Sequence, residues 1–234
     1  MHKLILTLTR PEAAETDVWH VQLREHLAPG LLATGAARVR INVPDEAVAA
    51  GAGLRQSPDG HYPDAIVQIW LDDDVDDYGL GALIRPFSEH YNGWQVEERV
   101  PLANRSHPPR AGHRTEGWAQ IALLVRPTGQ SEADWLEAWQ GRHTTVAIET
   151  QSTFEYVQNR VRVPVTPGAP DYAAIVEECF PEAALTDPLT FFDAAGDVAK
   201  FKANLARMMA SCEHFITPGT ITVMPTSQYE FVRH

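Results

Sequence analysis

Eight short apolar runs along the chain read as strands, and stretches with helical spacing separate them. The run Leu4-Ile5-Leu6-Thr7-Leu8-Thr9-Arg10-Pro11 is answered by Ala119-Gln120-Ile121-Ala122-Leu123-Leu124-Val125-Arg126-Pro127, and both end in Arg-Pro. A helical pattern follows each run. From about Glu15 to Thr34, Trp19, Leu23, Leu27 and Leu31 recur at four-residue spacing and mark one face. After Ser131-Glu132-Ala133-Asp134, which is close to a capping box, the face is Trp135, Leu136, Trp139, Val146 and Ala147.

The same order then repeats. Strand-like runs from Ala37 to Val43 and from Phe154 to Val163 are closed by Pro44 and Pro164, as proline ends a strand. A long Gly-, Ala- and Pro-rich loop follows in the first copy (Pro44 to Pro63) and a shorter one in the second (Pro164 to Pro170). Third strands are expected at Ala65 to Leu71 and Tyr172 to Val176, and closing strands at Trp94 to Leu102 and Ile221 to Val232. Between the last pair lies a helical region with a stripe of Phe201, Leu205, Met208, Met209, Cys212 and Phe215.

Each copy therefore reads β-α-β-β-α-β, the split unit of ferredoxin-like folds. The expected organisation is a first unit at residues 1–102, a linker at 103–116 carrying Pro108-Pro109, and a second unit at 117–234. The fold class is α+β. A four-stranded sheet with both helices on one face leaves its other face bare, and two fused copies cover that face by packing sheet on sheet.

Composition narrows the function. A net charge of −12 argues against a phosphate-backbone partner, which needs clustered Lys and Arg. The acidic run Asp72-Asp73-Asp74 with Asp76-Asp77 reads as a solvated helix start. Cys179 and Cys212 each fall in an apolar pattern and read as buried thiols. No apolar run approaches the ~20 residues of a membrane helix, and the N-terminus lacks the apolar region of a signal peptide, so cytoplasm is the expected location.

The stretch Trp135-Leu136-Glu137-Ala138-Trp139-Gln140-Gly141-Arg142-His143 resembles the first helix of the EthD-like family, with Tyr156 matching the tyrosine of the strand that follows. Leu23-Arg24-Glu25-His26-Leu27-Ala28-Pro29 keeps a histidine, but Val39 stands where Tyr156 would fall. The resemblance implies a tandem member of the dimeric α/β-barrel superfamily, with the two sheets forming the barrel within one molecule. Relatives in that superfamily include polyketide cyclases, decarboxylases, lactone isomerases and haem-degrading monooxygenases, so the fold alone does not fix the reaction.

His143 follows Trp139 by four residues and Trp135 by eight, on one apolar helix face. A neutral imidazole there can take a proton beside a carbonyl or phenol and return it. Tyr156 would orient a ring oxygen. Trp135, Trp139 and Arg142 would bind substrate, with Trp19 their counterpart in the first copy. With one residue of slack, His26 aligns with His143 as the weaker catalytic candidate. Only the second copy is expected to hold a sizeable pocket.

The expected activity is that of a cofactor-independent lyase, isomerase or cyclase acting on a small aromatic or polyketide-like compound. A non-catalytic small-molecule carrier and a monooxygenase are the alternatives. The expected partner is a small hydrophobic or aromatic molecule, with no nucleic acid and no membrane; a homodimer through the helices is left open. No metal-ligand spacing such as Cys-x2-Cys or His-x3-His occurs.

Overall fold

The computed structural model describes residues 1–72 and 79–233. Asp73, Asp74, Asp76 and Asp77 of the acidic run lie outside them; Asp72 accepts a hydrogen bond from Arg233, 2.8 Å away. The described strands are β1 (His2–Leu8), β2 (Ala36–Val43), β3 (Ala65–Leu71), β4 (Tyr91–Leu102), β5 (Trp118–Leu124), β6 (Glu155–Pro164), β7 (Ala174–Phe180) and β8 (Thr222–Val232). All pairings are antiparallel and close into a barrel of order β1-β3-β2-β8-β5-β7-β6-β4. The first four strands run β4-β1-β3-β2 and the last four run β8-β5-β7-β6, the same order.

The expected barrel forms, but not by sheet-on-sheet packing. The two groups of strands do not face each other as separate sheets. β2 pairs with β8 and β4 pairs with β6, so one continuous barrel results. An unpaired edge would expose a row of N–H and C=O groups, and closure removes it. Gly117 leads into β5 with φ +90; a Cβ there would stand 2.2 Å from the Phe180 carbonyl oxygen, so only glycine fits.

Helices cover the outside of the barrel. The first is α1 (Thr16–Gln22), a π-helical turn (Leu23–Leu27) and α2 (Ala28–Ala33). Its counterpart is α4 (Glu132–Leu136), a π-helical segment (Glu137–His143) and α5 (Thr144–Thr150). Ser131 caps α4 by accepting from the Asp134 amide at 3.1 Å. The first group of strands is further covered by α3 (Leu80–Ile84), and the second by α6 (Pro188–Phe191) and the longer α7 (Val198–Cys212). On α7, Met208 is buried and Cys212 half-buried, but Met209 is 54% exposed and leaves the expected stripe.

Strand residues alternate between the helices and the barrel interior. Leu4, Leu6 and Leu8 face the helices while Ile5 packs with Ile66, Trp94, Ile121, Leu123, Ile175 and Met224 inside. One end of the interior is charged. Arg40 reaches Glu155 (3.1 Å), Glu177 (2.7 Å) and Glu230 (2.7 Å), and Lys3 reaches Glu98 (2.5 Å) and Asn159 (2.7 Å). The Arg40 guanidinium holds the Glu177 carboxyl down to about 2 against a large burial penalty. This interior explains why β7 runs on to Phe180, past the Val176 expected as its end: Glu177 is an interior ion-pair partner, and its charge does not break the strand.

Candidate functional site

Wherever the two helical layers share a motif, the chain places it at matching positions without slack. Arg10 donates to the Ala14 carbonyl and Arg126 to the Gln130 carbonyl. Trp19 donates its indole N–H to the Phe87 carbonyl (2.7 Å), and Trp135 to the Phe215 carbonyl (3.0 Å). Carried on, this register sets Leu27 against His143 and His26 against Arg142. The alignment of His26 with His143 is therefore one residue off. One residue on a helix turns a side chain by about 100°, and His26 and Arg142 are both exposed where His143 is buried.

His143 and Trp139 point from the π-helical segment toward the outer face of β5, β6 and β7. They line a cavity of about 200 Å³ with Tyr156, Glu178, Gln151 and Phe215. A π-helical turn recurs at functional sites because it displaces side chains from the regular spiral. Trp135 sits behind, its ring centroid 4.9 Å from that of Trp139, and does not reach the cavity. Trp19 is buried in the other layer. Of the expected residues, the structure gathers Trp139, His143 and Tyr156 around one space; His26, Arg142, Trp135 and Trp19 lie away from it.

His143 Nδ1 stands 2.9 Å from Ser211 Oγ of α7, and its ring packs on Phe215 with centroids 4.5 Å apart. Burial pushes its pKa down to about 4, so the imidazole is neutral at neutral pH. Tyr156 accepts from Gln158 Nε2 (3.2 Å), and Gln158 also donates to Thr144 Oγ1 (2.9 Å). Burial raises the Tyr156 phenol, so it too is neutral.

Directly across the ladder from Tyr156 is Glu178, and across from Glu178 is Gln120. Burial pushes the Glu178 carboxyl up to about 7. Its Oε1 is buried without a hydrogen-bond partner, and its Oε2 has only a 3.5 Å contact to Gln120 Nε2. The sequence reading missed this residue. The available signal was an acidic pair, Glu177-Glu178, inside an apolar run that ends at Phe180.

Cys212 also borders the cavity, but burial raises its thiol to about 11; burial raises the Cys179 thiol as well, and it donates to Glu155 at 3.2 Å. Both are protonated thiols and poor nucleophiles at neutral pH. Among the described residues no group of three or more His, Cys, Asp or Glu is arranged to hold a metal ion, and no helix is long and apolar enough to cross a membrane.

The second group of strands is not alone in having a cavity. A space of about 260 Å³ lies against β1 and α3, lined by Leu4, Leu6, Leu80, Ile84 and Tyr91. It is not beside His26, but it corrects the expectation that only the second copy has a sizeable pocket. The difference between the two is chemical: apart from Tyr91 and Thr166, aliphatic side chains line the first, while a carboxyl, an imidazole and a phenol meet in the second.

No family model and no curated protein matches the chain, so the EthD-like resemblance rests on its short motifs alone. Solved structures do match. The crystal structure of an anthrone oxidase-like protein aligns over 99% of this chain and 93% of its own, with 13% identity and a TM-score of 0.57. A candidate monooxygenase from Lactobacillus acidophilus NCFM aligns over 99% and 96% with 10% identity and a TM-score of 0.49. A dye-decolorizing peroxidase from Bacteroides thetaiotaomicron VPI-5482 aligns over 97% and 93% with 9% identity and a TM-score of 0.48. The first likeness is one of fold: the chain is a mixed α/β protein built on an eight-stranded antiparallel barrel.

Proposed function

We propose that the chain is a tandem of two ferredoxin-like units, residues 1–102 and 117–234, and that the second unit houses a small-molecule site for proton-transfer chemistry. One observation carries the reading: an apolar cavity into which a neutral histidine and an under-bonded carboxyl both face. The Glu178 carboxyl, held near 7, is matched to exchanging a proton at neutral pH. His143, fixed by Ser211, is a neutral hydrogen-bonding partner, and Tyr156 orients a ligand oxygen. The class is a cofactor-independent lyase, isomerase or cyclase acting on a small aromatic compound, in keeping with the EthD-like resemblance and a cytoplasmic location.

A monooxygenase is the second reading, supported by the shared fold of the anthrone oxidase-like protein. One experiment separates the readings. A panel of substituted ring compounds is incubated with the protein in deuterated buffer under air and analysed by mass spectrometry. Deuterium entering a carbon position supports proton transfer. Gain of an oxygen atom moves the assignment to the monooxygenase. Binding without either change leaves a carrier.

A further inference from the structure

The cavity of the second layer holds two unmet hydrogen-bond acceptors. Glu178 Oε1 and Gln151 Oε1 are buried without partners, and both side chains line it. Tyr156, Gln56 and Gln120 bring donors to the same lining, but none of them bonds either oxygen. Among the described residues no Lys or Arg lines the space. Buried acceptors are costly to leave unmade, so a ligand that supplies donors gains more here than one that does not.

Size and shape add to this. An apolar cavity of about 150 Å³ takes benzene, so a space of about 200 Å³ holds one substituted ring. Trp139, Tyr156, Phe191, Phe192 and Phe215 supply flat walls. An anion would meet the partly ionised Glu178 carboxyl, and a cation would give up hydration that this one carboxyl replaces only in part.

We propose that the cavity selects a neutral single-ring compound carrying an O–H or N–H donor, that Glu178 is the residue making this selection, and that Gln151 receives a second donor when the ring has one. The proposal rests on the small-molecule reading above and specifies the ligand for that site.

The test measures binding of phenol, aniline, toluene, benzoate and benzylamine by calorimetry at pH 7, to the protein and to Glu178→Leu. Phenol and aniline are expected to bind roughly tenfold more tightly than toluene, the worth of one hydrogen bond to a charged group. Benzoate and benzylammonium bind more weakly than phenol. In Glu178→Leu, toluene binds as before and the phenol advantage falls to within about threefold; Gln151→Leu leaves that advantage in place.

The proposal is overturned if toluene matches phenol in the unaltered protein, if benzylammonium is the tightest, or if the preference for phenol survives Glu178→Leu. If the Leu variant does not fold, the ranking of the five probes on the unaltered protein still decides. Binding of none of the probes removes the small-molecule reading itself, whereas binding without donor preference removes only this proposal.

Discussion

In the ladder row where Leu4, Ile69 and Val39 face the first helical layer, the equivalent row of the second presents Gln120, Glu178 and Tyr156. On the facing helix, Leu27 becomes His143. The skeleton is held in common: the same strand order, a π-helical turn, and a tryptophan donating to a backbone carbonyl in each. Four positions change from aliphatic to polar while the backbone plan stays. The first layer thus shows what the architecture needs in order to stand. The second carries polar groups in a buried layer without full satisfaction, a destabilising arrangement that the proposed small-molecule site accounts for.

The largest expected effect tests whether the layers are separable at all. Arg40 stands on β2, and its three carboxylate partners stand on β6, β7 and β8. Arg40→Met leaves those carboxylates buried without their cation, and should cost about 3–5 kcal/mol in urea denaturation. A loss below 1 kcal/mol would mean that the two groups of strands hold together without this network.

The paired helix position comes next. Leu27→Ala should cost about 2–5 kcal/mol, because a packed aliphatic site collapses poorly. His143→Ala already borders a cavity and gives up mainly the Ser211 hydrogen bond, about 1 kcal/mol. Equal costs would erase the distinction between a packed helix position and one that borders a cavity.

The pH dependence sharpens the contrast further, because Leu27 and Ile69 do not titrate. Glu178 has a folded pKa raised from 4.5 to about 7, so its folded form binds the proton more tightly and stability falls as pH rises through that window. Glu178→Leu should flatten the fall, worth about 3 kcal/mol between pH 4.5 and 8 at 1.36 kcal/mol per pH unit. His143 has a folded pKa lowered from 6.5 to about 4, so stability is full above 6.5 and is lost as pH falls toward 4. His143→Gln should remove that acid limb. Thermal melts across pH 4 to 8 read both.

The smallest effect concerns what is common. Trp19→Phe and Trp135→Phe each remove one indole donor from a backbone carbonyl, part-buried in the first case and buried in the second. Each should cost about 1 kcal/mol, beyond any packing change. A clear difference between the two in matched melts would show that the tryptophans are not equivalent supports.

How far the sequence could be read follows the same division. Strand β3, Ala65–Leu71, was legible end to end because its apolar run is nearly unbroken. Strand β7 was not, because Glu177 and Glu178 interrupt the pattern; one serves the interior network and the other the cavity. Arg40, which pairs with Glu177, and His143, which lines the same cavity as Glu178, are far away along the chain, and periodicity has no view of such juxtapositions. Trp139, His143 and Tyr156 were found because a helix face and a short motif pointed to them. The single residue of slack between His26 and His143 is visible in the sequence spacing, but its consequence is not: one residue on a helix turns the side chain into solvent.

The seam between β2 and β8 joins Arg38 to Val232 and so closes nearly the whole chain upon itself. Loop-closure entropy and high contact order make such a pairing late in folding. Until it forms, two complementary strand edges stay open, and β8 of another copy meets β2 as readily as the chain's own. Refolding is then a race between intramolecular closure and strand exchange, with dilution favouring the monomer and crowding favouring swapped dimers.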